Sequence, residues 1–169
     1  SRTLESQLVD RLISAPQTSN ALFLKVILDE LRIRARHEDL AEMMGLMLKA
    51  KDTIELFIQV LKNLEEFDKQ RPNLVRDSMS FLFAARRGLS ESELLQLLSG
   101  HPEPAKNPLP RSIWSPLYLA REDWLMERSD GQLTFFHDYL RQAVERTYLC
   151  EDSTRQTVHN RFGEVALAW

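Results

Sequence analysis

The feature that most constrains the fold is a short hairpin pattern that runs directly into an amphipathic helix. Apolar segments at 125–128 and 132–136 flank Asp130-Gly131, a dipeptide that favours a tight turn between antiparallel strands. The residues that follow have the apolar rhythm of one buried helical face. These apolar positions are Tyr139, Leu140, Ala143, Val144, Thr147 and Tyr148. The pattern predicts a hairpin followed by a helix.

The residues before the hairpin predict helices in two groups. Four helical patterns precede Arg71-Pro72-Asn73, which indicates the one clear boundary, and three more follow it. Polar residues with the spacing of a capping box start a helix in each group. These pairs are Asp52 with Glu55 and Ser90 with Glu93, and Thr3 is a further predicted cap. We expect Gly88 to end one helix and the proline-rich segment 100–110 to form a loop.

Three helices, a two-stranded hairpin and a closing helix follow the order of a winged helix. We therefore predict a mainly α fold, in which a small helical bundle precedes a winged-helix domain with one short β-hairpin. The predicted domains are a helical domain at 1–70, the winged helix at 71–150, and the start of a following helical region at 151–169, for which a repeat array is one interpretation.

His137 is the residue with the most distinctive position, because it stands where the second strand meets the helix. We predict Asp138 as the N-cap, which places His137 just outside the helix N-terminus. Backbone N–H groups point outward there and attract anions, and a histidine can donate a hydrogen bond to a phosphate. A half-buried histidine that only packs is the alternative interpretation.

Composition narrows the classes of partner. The 22 basic and 25 acidic side chains give a net charge of −3 with no basic block, so nucleic-acid binding is not expected. No apolar run approaches the ~20 residues of a membrane span, so we expect no membrane association. Cys150 is the single cysteine, which suits the reducing cytoplasm. The absence of an initiator methionine suggests a piece of a longer protein.

The chemistry of an enzyme is missing from the sequence. No two of the five glycines have the spacing of a P-loop, which cradles phosphates with backbone amides. No histidine pair has the spacing of metal ligands, and Cys150 has no second thiol with which to hold zinc. We expect this chain to have no catalytic residue, no metal site and no enzymatic activity of its own.

Three segments resemble a known family: 20–32, 86–95 and 135–144. Their order is similar to that in the C-terminal half of STAND-class NTPases, and most similar to the NACHT-type module of nephrocystin-like, repeat-bearing signalling ATPases. The resemblance covers most of the chain. It implies that 1–70 is the helical domain of an NTPase module whose P-loop core lies upstream in the same polypeptide.

The resemblance also implies roles for two residues. In such proteins the winged helix closes over bound ADP, and the histidine matching His137 contacts the β-phosphate. The family usually has proline, on the adenine side of the site, where this chain has Ala21. Alanine permits the same fold but lacks the rigidity of proline at the first turn of a helix.

The implied function is therefore regulatory. ADP or ATP would bind to the parent protein, with neither held tightly by this chain alone, and exchange would pivot the domains near 68–73 and expose a surface for homo-oligomer formation. Two alternatives remain open: a nucleotide-independent scaffold for protein interaction, and a winged-helix DNA binder.

Overall fold

The computed structural model describes residues 6–34, 40–67, 71–100 and 108–166. Within these residues the chain forms nine α-helices and one two-stranded antiparallel hairpin, so the predicted mainly α fold is confirmed. The chain divides into two compact units, Ser1–Val60 and Leu61–Trp169. Several predictions concern residues outside the described ranges: the Thr3 cap, residues 68–70 of the pivot, 101–107 of the loop, and Trp169.

The regular elements in the described part of the first unit are all helical. Its elements are α1 (Ser6–Ser14), a 3₁₀ turn (Pro16–Ser19), α2 (Ala21–Arg34), α3 (Leu40–Met47) and the beginning of α4 (Thr53–Phe67). Phe23, Ile27 and Met44 are fully buried in its core. Half of the predicted capping box at α4 is present, because Asp52 accepts a hydrogen bond from the Glu55 N–H at 2.8 Å, whereas the Glu55 carboxylate accepts from the Lys51 N–H.

The second unit has the predicted winged-helix order. After the end of α4 it contains α5 (Leu74–Ala84), α6 (Glu91–Ser99), α7 (Arg111–Ala120), a 3₁₀ turn (Glu122–Trp124), β1 (Leu125–Glu127), β2 (Leu133–Phe135), α8 (Asp138–Tyr148) and α9 (Asp152–Ala166). Helix α5 is central, because it contacts α6, α8, α9 and β2. The fully buried side chains of the second unit include Trp114 of α7, Met79 of α5 and Val144 of α8.

The hairpin forms where the sequence predicts it. Leu125 pairs with Phe135 and Glu127 with Leu133. In the turn only Gly131 has a positive φ, of 78°, and its N–H donates to the Arg128 carbonyl at 2.8 Å. The turn is a three-residue loop, 129–131, that ends in a left-handed glycine.

A backbone bridge ties the hairpin to the segment before α6. Leu89 and Leu133 exchange N–H···O hydrogen bonds of 3.1 and 2.7 Å. The preceding Gly88 has φ +92°, and a Cβ there would lie 2.6 Å from the Leu133 oxygen. The sequence predicts that Gly88 ends a helix, but α5 ends at Ala84. Gly88 instead permits the close approach of the two backbones.

Candidate functional site

The candidate site is the start of α8, where β2 leads into the helix. His137 is the N-cap residue, with extended backbone angles of φ −123° and ψ 135°, and its side chain forms no capping hydrogen bond. Its carbonyl accepts hydrogen bonds from the N–H groups of Leu140 and Arg141. The prediction that Asp138 is the N-cap is therefore wrong. The helix starts one residue earlier, because the His137 carbonyl already accepts the first helical bond.

The first turn of α8 offers hydrogen-bond donors. Among the described residues, no partner accepts from the N–H groups of Asp138 or Tyr139, which lie at the positive end of the helix dipole. The Asp138 carboxylate carries an opposing charge in the same turn. It accepts a hydrogen bond of 2.7 Å from Gln142, one turn further along, which holds it toward the next turn. The helix start thus combines two free amide donors with an imidazole.

Apolar side chains are exposed beside His137. The Phe136 ring meets the imidazole edge-on, with ring centroids 4.5 Å apart. Phe136 is 56% exposed, Tyr139 43% and Met126 42%. The Phe136 N–H bonds to the Trp124 carbonyl, so the strand register places Phe136 on the same face as Met126 and Thr134. We call Met126, Thr134 and Phe136 the outer hairpin face. Adjacent exposed apolar groups of this kind typically mark an interaction surface.

The rest of α8 is fixed within the second unit. Leu140, Ala143, Val144 and Tyr148 are buried as predicted, whereas Tyr139 is exposed. The Arg141 guanidinium lies 4.3 Å from the Phe83 ring centroid and donates to the Phe83 carbonyl. At the far end, burial and the nearby Glu65 carboxylate raise the pKa of Tyr148 above its ordinary value of 10.0. These contacts hold α8 within the second unit, and its first turn carries the exposed residues Asp138 and Tyr139.

Ala21, the second predicted site residue, lies in the first unit. It is the exposed first residue of α2, and the Asn20 side chain caps the helix by accepting from the N–H groups of Leu22 and Phe23 at 2.9 and 3.3 Å. His137, in contrast, belongs to the second unit. The roles of Ala21 and His137 toward a nucleotide stay predictions.

Comparison with known proteins adds the family. Residues 1–148 match the family described as Nephrocystin 3, helical domain. The chain belongs to this family. It is also 28% identical over 149 residues to a TPR repeat-containing protein of Dictyostelium discoideum, a match that covers 88% of this chain and 8% of that protein. No solved structure matches the chain.

The described residues contain neither a metal-binding group nor a membrane-spanning helix. In its described part, no group of three or more His, Cys, Asp or Glu side chains is arranged to hold a metal ion. None of the helices that the structure describes is long and apolar enough to cross a membrane. Sequence reasoning missed a cluster of arginines beside the end of α6, because it interpreted Arg71-Pro72 only as a domain boundary.

Proposed function

We propose that this domain is the regulatory part of a STAND-class signalling ATPase, in which it closes over a nucleotide bound by a P-loop core of the same polypeptide and controls self-association. The observation that carries the proposal is the start of α8. There His137 makes no capping bond and lies beside the exposed outer hairpin face. A helix start built in this way suits a phosphate ligand and an apolar contact together.

In the proposed mechanism, His137 reports which nucleotide is bound. Its imidazole donates a hydrogen bond to the terminal phosphate of ADP, and the N–H groups of Asp138 and Tyr139 add to the favourable field. The Asp138 carboxylate opposes an anion, so the site favours a phosphate only when the core holds it in place. Because a ligand shifts an equilibrium only through differential contact, His137 must interact with ADP better than with ATP.

The domain has no catalytic role in this proposal. The main phosphate cradle and any hydrolysis belong to the P-loop core, and the sequence of this chain contains no P-loop. ADP or ATP is thus a cofactor of the parent protein, and we expect the isolated chain to bind both weakly. The partners are the upstream core and, on activation, further copies of the parent.

A nucleotide-independent interaction domain is the second candidate. The similarity to a TPR repeat-containing protein favours it, because TPR units are helical pairs that stack into extended binding surfaces. The exposed apolar side chains of the outer hairpin face suit this role equally well. In this version the winged helix presents that face to a protein partner, and no phosphate contacts His137.

DNA binding is disfavoured by the charge of α7, the helix at the position of a recognition helix. Arg111 is the one cationic side chain of α7, and it forms an ion pair of 3.0 Å with Glu91. Affinity for duplex DNA rests mainly on cations that neutralise phosphates. Helix α7 has a single such cation, already paired.

The test uses the parent protein with its P-loop core and the substitution His137→Ala. We expect loss of the ADP that co-purifies with the parent and a shift to larger oligomers, measured by nucleotide release and light scattering. His159→Ala is the matched control, because His159 is an exposed histidine on α9. Unchanged ADP and oligomer size in His137→Ala would contradict the sensor role. A native parent that neither carries nor binds nucleotide would favour the interaction domain.

A further inference from the structure

A pocket of about 420 Å³ lies between α5, α6 and α9 within the second unit. No residue of α8 lines it, so it is separate from the candidate site at His137. Three arginines and one carboxylate supply its charged groups: Arg71, Arg76, Arg161 and Asp77. Arg76 and Asp77 neutralise each other through an ion pair of 3.1 Å. Two positive charges are left over.

The two remaining arginines are held in place by the end of α6. Arg71 donates through Nη2 to the Leu98 carbonyl, and Arg161 donates through Nε to the neighbouring Leu97 carbonyl at 3.2 Å. Carbonyl groups at a helix C-terminus lack helical partners and attract cations. These bonds hold each guanidinium group at the end of α6, so little conformational freedom remains to be lost when a ligand binds.

Each of these guanidinium groups has a buried nitrogen without a hydrogen-bond acceptor. The atoms are Nη1 of Arg71 and Nη2 of Arg161, and neither arginine forms an ion pair with any residue that the structure describes. Gly100 lies next to this site, since a Cβ there would be 3.7 Å from Nη2 of Arg161, an ordinary van der Waals contact. A buried cationic donor without an acceptor is costly, and an anion in the pocket would remove that cost.

Helix α9 also contributes polar groups from its first two turns. Ser153 and Thr154 in its first turn line the pocket, together with Thr157 one turn later. The Thr157 hydroxyl donates to the Ser153 carbonyl at 2.9 Å and the Ser153 hydroxyl to the Glu151 carboxylate at 3.5 Å, so α9 contributes mainly the positive end of its dipole. Phe81, Leu97, Leu98 and Val158 supply apolar lining. Inorganic phosphate would occupy only a fraction of this volume.

We propose that this pocket binds a small organic phosphate monoester. The phosphate group accepts from the free nitrogens of Arg71 and Arg161 and from the start of α9, while the organic part packs on Phe81 and Val158. A phosphate monoester offers three terminal oxygens and up to two negative charges, which match two guanidinium groups better than one carboxylate does. Bound ligand would clamp α9 onto α5 and α6.

The experiment is a titration of the isotope-labelled chain followed by NMR, with phenyl phosphate, inorganic phosphate and benzoate as probes. We expect phenyl phosphate to shift the amide signals of Gly100, Ser153, Thr154 and Thr157 and to bind more tightly than the other two probes. Benzoate binding as tightly as phenyl phosphate, or shifts spread evenly over the surface, would overturn the proposal. This readout on the native chain needs no variant.

Two variants test the arginines. Arg161→Gln should weaken phenyl phosphate binding by about tenfold or more, since hydrogen bonds to charged groups are the strong ones. Arg155→Gln is the matched control, because Arg155 lies on the same helix but pairs with Glu145 outside the pocket. Equal weakening in both folded variants would mean non-specific attraction and overturn the assignment. A phosphotyrosine peptide that binds more tightly than phenyl phosphate would overturn the small-molecule assignment.

Discussion

Helices α6 and α8 start in the same unit after an extended residue, but their starts are built differently. At α6 the Ser90 hydroxyl accepts from the Glu93 N–H, and the Glu93 carboxylate accepts from the Ser90 N–H at 2.6 Å. At α8 the N-cap residue is His137, whose side chain accepts from neither the second nor the third N–H of the helix. At α6 side chains satisfy the N-cap and third N–H groups, whereas at α8 the His137 carbonyl satisfies the third N–H and no side chain caps the helix.

The difference separates stability from function. A complete capping box contributes about 1 kcal/mol to the stability of a helix, and serine or aspartate at position 137 would supply part of it. The chain instead has an imidazole there, beside exposed apolar groups on the outer hairpin face. A start that forgoes local stability while presenting donors is typical of a binding site.

The largest expected effect tests the link between the two starts. Gly88→Ala should lower the free energy of unfolding by about 2–3 kcal/mol, because alanine is strained at φ +92° and its Cβ would lie 2.6 Å from the Leu133 oxygen. Urea unfolding measures it. Gly131→Ala is the control, since φ there is also positive but no atom lies within 4 Å of the Cβ, and a cost of about 1 kcal/mol is expected. Equal costs would mean that the Leu89–Leu133 bridge does not hold the hairpin.

The difference between the starts of α6 and α8 is tested by removing each N-cap side chain in turn. Ser90→Ala should cost about 1 kcal/mol, because it leaves the Glu93 N–H without its acceptor. His137→Ala should cost less than Ser90→Ala, because the contacts that it removes do not include a capping bond. Chemical denaturation of the two variants decides the matter. If His137→Ala lowers the free energy of unfolding as much as Ser90→Ala, the imidazole is a structural group. The start of α8 would then no longer be distinguished as a binding site.

Sequence reasoning reached the fold because strong local signals agreed with the packing. The hairpin dipeptide, the Ser90–Glu93 pair and the apolar face of α8 each act within a few residues, and each forms essentially where the sequence places it. Gly88 was misinterpreted as a helix end because its real constraint is the approach of Leu133, 45 residues further along. The pocket was missed for the same reason. Arg71 and Arg161 both donate to carbonyl groups at the end of α6, and no local sequence pattern reveals this tertiary arrangement.

A new cap at α8 would exchange function for stability. His137→Ser places a hydroxyl on a backbone that already has the extended conformation of an N-cap, so we expect a gain of about 0.5–1 kcal/mol. In the parent protein the same variant should lose ADP, because serine cannot replace the imidazole contact. Thermal unfolding of the chain and nucleotide release from the parent measure the two effects. Retained ADP in a stabilised variant would remove the proposed trade-off.

The smallest expected effect concerns a third helix start, that of α2. Ala21 is at the first helical position, and Asn20 before it has φ −81° and ψ 116°, a conformation that a following proline accepts. Ala21→Pro should therefore raise the free energy of unfolding by about 0.5 kcal/mol through loss of unfolded-state freedom.

Leu24→Pro is the contrasting control, because the Leu24 N–H donates to the Asn20 carbonyl at 3.0 Å and its loss should cost about 3 kcal/mol. If Ala21→Pro also raises the affinity of the parent protein for ADP, rigidity at this helix start contributes to nucleotide binding. If Ala21→Pro raises stability but leaves the affinity of the parent protein for ADP unchanged, alanine at position 21 does not weaken nucleotide binding. The proposed nucleotide contact then depends on the start of α8 alone.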